Sequence, residues 1–278
     1  MPPVVLLFGL GYTATRLAEK LLANGATVMA TTRNAARMAE MEKMGVQPLL
    51  FPLQQPKAVL ANVTHVLSSV PPAETGAPVL AAHLRDLKAA PQLTWAGYLS
   101  ATSVYGDYGG AWVTETSETR PTGPRGQHRL KAERDWLESG LPVHIFRLAG
   151  IYGPGRNVLD EVKAGAASRV DKPGHAFSRI HVDDIVQVLL ASMNKPNAGA
   201  IYNVADDLPA PSADVVAYAA ELLGLTPPPL QPYTPAHLSP MANSFYADNK
   251  RVRNDRIKTE LGVQLQYPSY KEGLKALL

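Results

Sequence analysis

Apolar and polar positions along this chain fall into two alternating rhythms. Val4-Val5-Leu6-Leu7-Phe8 is an unbroken apolar run closed by Gly9. A run without every-other-residue alternation predicts a strand buried on both faces, and therefore a parallel sheet. Ala14, Leu17, Ala18, Leu21 and Leu22 then recur at i, i+3, i+4, i+7 and i+8, which is one face of a helix, and Asn24-Gly25 ends it. Thr27 to Thr32 predicts a second strand. The opening 32 residues thus spell strand, glycine turn, helix, strand.

The alternation continues. Asn34 is placed to cap a helix that ends at Gly45. Gln47 to Phe51 and His65 to Val70 predict strands three and four. A helix from about Val79 to Ala89 follows Pro71-Pro72, Gly97 to Ala101 predicts strand five, Arg125 to Ser139 a helix, and Val143 to Leu148 strand six. Repetition of strand and helix with apolar strands predicts an α/β fold, a doubly wound parallel sheet of the Rossmann type. Beyond residue 150 the rhythm loosens. Asp183 to Met193 predicts a helix, Ile201 to Val204 a strand, and Ser212 to Leu223 a helix capped by Ser212 and stopped by Gly224. Prolines at 227, 228, 229, 232, 235 and 240 then predict a loop region rather than a regular helix or central strand. The expected division is a dinucleotide-binding domain over 1–150, rejoined by 178–205, and a smaller C-terminal substrate lobe over 151–177 and 206–278.

Composition narrows the picture. The 278 residues are 46% hydrophobic and 18% charged, the balance of a soluble globular protein. Lys and Arg number 27 and Asp and Glu 24, a net charge of only +3 with no basic cluster, so nucleic acid is not an expected partner. No cysteine is present, which excludes disulfides, thiolate catalysis and Cys-ligated zinc. No signal-like segment opens the chain and no apolar stretch is long enough to span a membrane, so a cytoplasmic protein without membrane contact is expected. His181 and the acidic residues beside it lack metal-site spacing, so no metal is expected.

Chemistry enters at the first turn. Gly9-x-Gly11-x-x-Ala14 sits between a strand and a helix. The first glycine permits the tight turn, the second lets backbone approach a pyrophosphate, and the third position needs only a small residue. The helix start at Tyr12 and Thr13 offers N–H groups and a positive dipole end. A tight turn without a ligand is the competing reading. At the end of strand two, where a carboxylate would bind the ribose 2′-hydroxyl of NAD, the chain has Thr32-Arg33-Asn34, with Arg37 one turn on. Arg33 can meet a 2′-phosphate and Thr32 can hydrogen-bond it, which favours NADP over NAD.

Several stretches together resemble the extended short-chain dehydrogenase/reductase superfamily, the epimerase/dehydratase type that acts on nucleotide sugars. They are Leu99-Ser-Ala-Thr-Ser-Val-Tyr-Gly106, Arg147-Leu-Ala-Gly-Ile-Tyr-Gly-Pro-Gly-Arg156, Ile180-His-Val-Asp-Asp184, Ile201-Tyr-Asn-Val-Ala-Asp206 and Glu260-Leu-Gly262. The glycine turn and Ala132-Glu-Arg-Asp-Trp136 resemble an atypical bacterial subgroup most. The resemblance implies a coenzyme set of Gly9, Gly11, Tyr12, Thr13, Thr32, Arg33, Asn34, Ser68, Ser69, Arg129 and Ala149. It implies a small-molecule substrate, in the family often a nucleotide sugar. It also implies a homodimer formed by packing two helices from each subunit.

The family catalyses with Tyr-x-x-x-Lys on the helix before strand six and with Ser or Thr at the end of strand five. Here the matching run is Arg125-Gly126-Gln127-His128-Arg129-Leu130-Lys131-Ala132-Glu133. The Tyr position is Arg125 and the Lys position Arg129, and a slip of two gives Gln127 and Lys131. Neither register supplies a tyrosine. The strand-five position is Ala101, with Ser100, Thr102 and Ser103 as neighbours. Arginine stays protonated and cannot be the base. The candidates are therefore Arg129, which can hold the ribose or a phosphate, Arg125 at the Tyr position, Thr102 as hydrogen-bond donor and His128 as replacement acid/base, with Ser100, Thr102 and Ser103 equally readable as structural strand-end hydroxyls. His181 is read as structural, with Asp183 capping the following helix. Tyr105 and Tyr152 stand as either site-lining or packing residues. Two functions compete. One is an NADP-dependent oxidoreductase or epimerase with a nonstandard active site. The other is a non-catalytic NADP(H)-binding redox sensor or regulator.

Overall fold

The computed structural model describes residues 2–235 and 239–278. Seven parallel-sheet strands organise the chain: β1 (Val4–Phe8), β2 (Thr27–Thr32), β3 (Gln47–Leu50), β4 (His65–Ser68), β5 (Trp95–Ala101), β6 (Val143–Leu148) and β7 (Ile201–Val204). Their spatial order is β7-β6-β5-β4-β1-β2-β3. The order reverses at β1, whose Leu7 lies level with Ala30 on one side and Leu67 on the other. That reversal opens a crevice at the carboxyl ends of β1 and β4, where doubly wound sheets bind ligands.

Apolar content dictates this arrangement. Val5, Leu6, Leu7 and Phe8 are wholly buried, as an unalternating strand requires. Leu6, Phe8, Val66, Ala96, Tyr98, Val143 and Ile145 share one face at a period of two. Val79, Leu80 and Leu87 of the helix Pro78–Lys88, and Ala132 and Trp136 of the helix Pro124–Leu137, cover that face. Helix α1 (Tyr12–Ala23) buries Thr13, Ala14, Leu17, Ala18 and Leu21 and ends just before Asn24-Gly25, as predicted.

The chain divides into two compact units. The first holds residues 1–101, 127–147 and 186–202; the second holds 102–126, 148–185 and 203–278. By compactness 102–126, 148–150, 178–185 and 203–205 group with the second unit, whereas the sequence reading places them with the first. The strand Trp112–Val113 pairs in parallel with Arg251–Val252. Lys250 Nζ donates to the Gly106 carbonyl at 2.9 Å, and the Asn249 N–H donates to Asp107 at 2.8 Å. Residues 178–185 join because Arg179–His181 pairs with Gly150–Tyr152. The core of the second unit is formed by Tyr152, Leu159, Val162, Val215, Val216, Ala219, Tyr270 and Leu274.

Local expectations shift in four places. The segment after Asn34 is a short 3-10 turn, Ala35–Arg37, followed by the helix Met38–Lys43, and Asn34 caps the turn by accepting from the Ala36 N–H. Ser212 does not cap its helix; it is the first helical residue, behind Pro211. Asp183 is not the cap of Val182–Asn194; His181 Nδ1 accepts the Asp183 N–H at 3.2 Å instead. The proline-rich stretch is not all loop. Leu230–Pro232 is a short strand beside Arg169–Asp171, and Pro240 opens the helix Pro240–Ala247, the first helical turn being where proline's missing N–H is harmless. No described helix is long and apolar enough to cross a membrane.

Candidate functional site

The glycine turn is built by the first unit alone. Gly9 has φ +85°, a left-handed backbone that glycine adopts without penalty. Its N–H donates to Thr31 Oγ1 at 3.0 Å, and Ser69 Oγ donates to its carbonyl at 2.9 Å. Hydroxyls from the two neighbouring strands therefore clamp the turn, and Ser69 serves the turn itself. A Cβ on Gly9 would meet Ser69 Oγ at 3.1 Å. Gly11 differs. Its φ of −89° suits any residue, and a Cβ there would meet nothing within 4 Å. Neither conformation nor packing demands a glycine at 11, and the open space lies in front of the start of α1. No side chain caps that helix and its first turn carries no acid. Buried Ala14 supplies the small third position. These features fit a pyrophosphate cradle: open backbone, positive dipole end, no competing carboxylate. Tyr12 is half-buried and Thr13 buried at the helix start, and Ser68 is buried within β4.

At the end of β2 the side chains divide their tasks. Thr32 Oγ1 accepts from the Asn34 N–H at 3.1 Å, and the Asn34 side chain turns back to the Ala36 N–H at 3.0 Å. Both shape the turn. Arg33 is exposed, and Arg37 Nη2 donates to the Leu10 carbonyl, inside the glycine turn, at 3.3 Å while pairing with Glu40 at 3.8 Å. The Arg37 guanidinium thus sits against the glycine turn, with exposed Arg33 following β2.

The helix Pro124–Leu137 carries the divergent catalytic positions. Arg129 Nη1 donates to the Leu99 carbonyl at 2.8 Å and to Tyr98 Oη at 3.4 Å, which fixes it beside the last turn of β5. Burial pushes the Tyr98 hydroxyl up to about 12, against the pull of the Arg129 charge, so this tyrosine stays protonated and is no proton shuttle. Arg125 is exposed and His128 half-buried. Ser100 is not available as a donor to substrate. Its hydroxyl donates to Glu133 Oε1 at 2.5 Å, and Arg147 Nη2 holds Glu133 Oε2 at 2.8 Å, all three side chains being buried.

In the second unit Thr102 is half-buried, and Ala149 is buried with its N–H donated to the Val204 carbonyl. Tyr105 is wholly buried and donates to Asn203 Oδ1 at 2.7 Å, which makes it a packing residue. Tyr152 donates to the Ser269 carbonyl at 3.3 Å and lines a cavity of about 400 Å³ together with Arg156, Glu161, Arg179 and Tyr270. Its hydroxyl is pushed upward by burial. The described residues contain no cluster of three metal-ligating side chains. Sequence reading alone missed the Glu133 network and this cavity. The signal for the first was present: Glu133 and Arg147 are charged residues inside otherwise apolar patterns.

No protein-family model matches the chain. Protein YeeZ of Escherichia coli strain K12 is 30% identical over 281 residues, covering 95% of this chain and 96% of its own. A 3-diazoavenalumate denitrifying reductase from Streptomyces is 30% identical over 153 residues, about half of each chain (51% and 49%). Among solved structures, a conserved protein of unknown function from Silicibacter pomeroyi is 52% identical, with TM-score 0.92 over 99% of this chain and 98% of its own. The dTDP-glucose 4,6-dehydratase of Bacillus anthracis, solved in complex with NAD, shares the fold at 16% identity, with TM-score 0.79 over 98% and 94%. The chain belongs to the family of Escherichia coli protein YeeZ, and its likeness to a putative NAD-dependent epimerase/dehydratase from Methylobacillus flagellatus, 26% identical with TM-score 0.76 over 100% of this chain and 98% of that one, places it in the epimerase/dehydratase-like branch of the extended short-chain dehydrogenase/reductase superfamily.

Proposed function

We propose that this protein is an NADP(H)-dependent oxidoreductase acting on a hydroxyl or carbonyl carbon of a small polar, sugar-like substrate. The observation that carries the reading is Gly11, whose open face in front of an uncapped helix start has no structural reason of its own. The NAD held by the dehydratase of the same fold, and the reductase activity in the name of the Streptomyces relative, support a nicotinamide dinucleotide. When bound, that group supplies or accepts a hydride at its nicotinamide ring. Gly11 and the N–H groups at the start of α1 hold the pyrophosphate. Arg33 is exposed, with no carboxylate beside it in sequence, and takes the 2′-phosphate of NADP. Arg129, already anchored on the Leu99 carbonyl, holds the ribose in place of the family's lysine.

The proton needs another route, because Arg125 and Ala101 stand at the Tyr and Ser positions. His128 or a water molecule moves it in this reading. The same two replacements favour the second reading, a coenzyme-binding sensor that performs no chemistry. One experiment separates the two. Purified protein is mixed with NADPH and a panel of carbonyl sugars and nucleotide sugars, and the absorbance of the reduced nicotinamide is followed. Turnover that falls in Arg129→Ala and His128→Ala identifies the enzyme. Tight NADPH binding with no turnover across the panel identifies the sensor.

A further inference from the structure

The cavity of the second unit contains a cation in an unusual setting. Arg179 lies on the short strand Arg179–His181 and is partly buried. Its Nη1 donates to two backbone carbonyls, Phe177 and Ala210, at 3.0 Å each. That uses both N–H bonds of Nη1. Nε–H and the two N–H bonds of Nη2 have no protein acceptor among the described residues, and no carboxylate lies within ion-pairing distance. Nε–H and one Nη2–H of a guanidinium point the same way, spaced to meet the two oxygens of one carboxylate.

The surroundings explain why this fork is open. Arg179 lines the cavity of about 400 Å³ and also a second one of about 330 Å³, and the two share Val158, Glu161 and Val215 as well. The buried acid whose charge acts on Arg179, Asp206, spends Oδ1 on the Leu208 N–H at 3.2 Å and leaves Oδ2 buried without a partner. Burial pushes that carboxyl up to about 8, against the pull of the Arg179 charge, so near neutrality it balances that charge only in part. Burial likewise pulls the Arg179 guanidinium down from its ordinary value. A partly desolvated cation whose charge is only partly balanced is costly, and an anionic ligand lowers that cost.

The walls select among anions. Ile151, Val158, Val215 and Leu274, with the rings of Tyr152 and Tyr270, give the cavity an apolar side. Asp160 and Glu161 share the lining with Arg156, so apart from Arg179 the wall carries one net negative charge and disfavours a second charge on the ligand. One open fork in an otherwise net-negative wall matches a monoanion better than a phosphate monoester.

We infer that the Nε/Nη2 edge of Arg179 binds the carboxylate of a small monoanionic substrate whose apolar body lies against Tyr152, Tyr270 and Val215. As a statement of substrate class this rests on the oxidoreductase reading; as a ligand site it rests on the cavity alone.

The test is calorimetric titration of the full chain, near neutral pH, with 3-phenylpropionate, its neutral amide and phenyl phosphate. The acid is expected to saturate one site, with the amide and the phosphate each at least about tenfold weaker. Arg179→Lys keeps a donor for the two carbonyls but loses the fork, so it is expected to weaken the acid by at least about tenfold while leaving NADPH affinity unchanged. Equal binding of acid and amide, preference for phenyl phosphate, an unaffected Arg179→Lys, or no binding to the wild type would each overturn the inference. The comparison of ligands on wild-type protein decides the matter even if the variant does not fold. NADPH titrated separately tests the oxidoreductase reading. Carboxylate binding without coenzyme binding would refute that reading and uphold the site.

Discussion

Gly9 and Gly11 stand two residues apart in one turn and are glycines for opposite reasons. Gly9 is required by the fold, through φ +85° and the nearby Ser69 hydroxyl. Gly9→Ala should therefore cost about 1–2 kcal/mol of stability. Gly11 meets neither demand, and on the proposed reading it is a glycine because of what the turn must admit. Gly11→Ala should leave stability within about 0.5 kcal/mol of wild type, yet weaken coenzyme binding by at least about tenfold. Thermal unfolding and coenzyme titration of both variants check the pair, and a Gly11→Ala protein with undiminished affinity would remove the cradle argument. Asp206 gives a second expectation at this scale. Its folded-state pKa, about 8, lies above its ordinary 3.8. Between those values the unfolded chain ionises and the folded one resists, so the group opposes folding increasingly as pH rises from about 4 to about 8. Below that window both states hold the proton and the group is neutral to stability. Asp206→Asn should match wild type near pH 4 and exceed it near pH 8, the gap growing by at most about 1.4 kcal/mol per pH unit. Urea unfolding across that range shows whether the gap opens.

Among elements, the firmest tie at the carboxyl end of the sheet is the buried set Ser100, Glu133 and Arg147, which joins β5, the helix Pro124–Leu137 and β6. Glu133→Ala strands a buried guanidinium and should cost about 3–5 kcal/mol; a loss under 1 kcal/mol in chemical unfolding would show that the network does not hold these elements together. This set also marks where the sequence ceased to be readable. The β1–turn–α1–β2 unit was legible because each of its signals is local: an apolar run, two glycines, a helical period. The missing catalytic tyrosine was legible for the same reason, since Arg125 and Arg129 sit in a short recognisable run. Ser100 and Glu133 lie 33 positions apart, and Glu133 and Arg147 lie 14 apart. Nothing in local periodicity says that they meet, so the sequence leaves Ser100 open between a donor to substrate and a structural hydroxyl. Capping failed at Ser212 and Asp183 because several polar side chains near a helix start compete, and tertiary placement chooses among them.

For the molecule as a whole, the alternating first half announced the sheet, but the division into units did not follow the alternation. The two-residue strand Trp112–Val113 has no period to detect, and it pairs with Arg251–Val252 far along the chain. Residues 102–126 thereby leave the unit to which their position in sequence assigned them. A sheet with a reversal at β1, an open cradle and an arginine after β2 form one binding argument, independent of whether chemistry follows. Isothermal titration of NADPH, NADP, NADH and NAD into the full chain tests that binding most directly. The account predicts saturable heat at one site, NADPH favoured over NADH by at least about tenfold, and that preference abolished by Arg33→Ala. The absence of saturable heat with all four dinucleotides would contradict it.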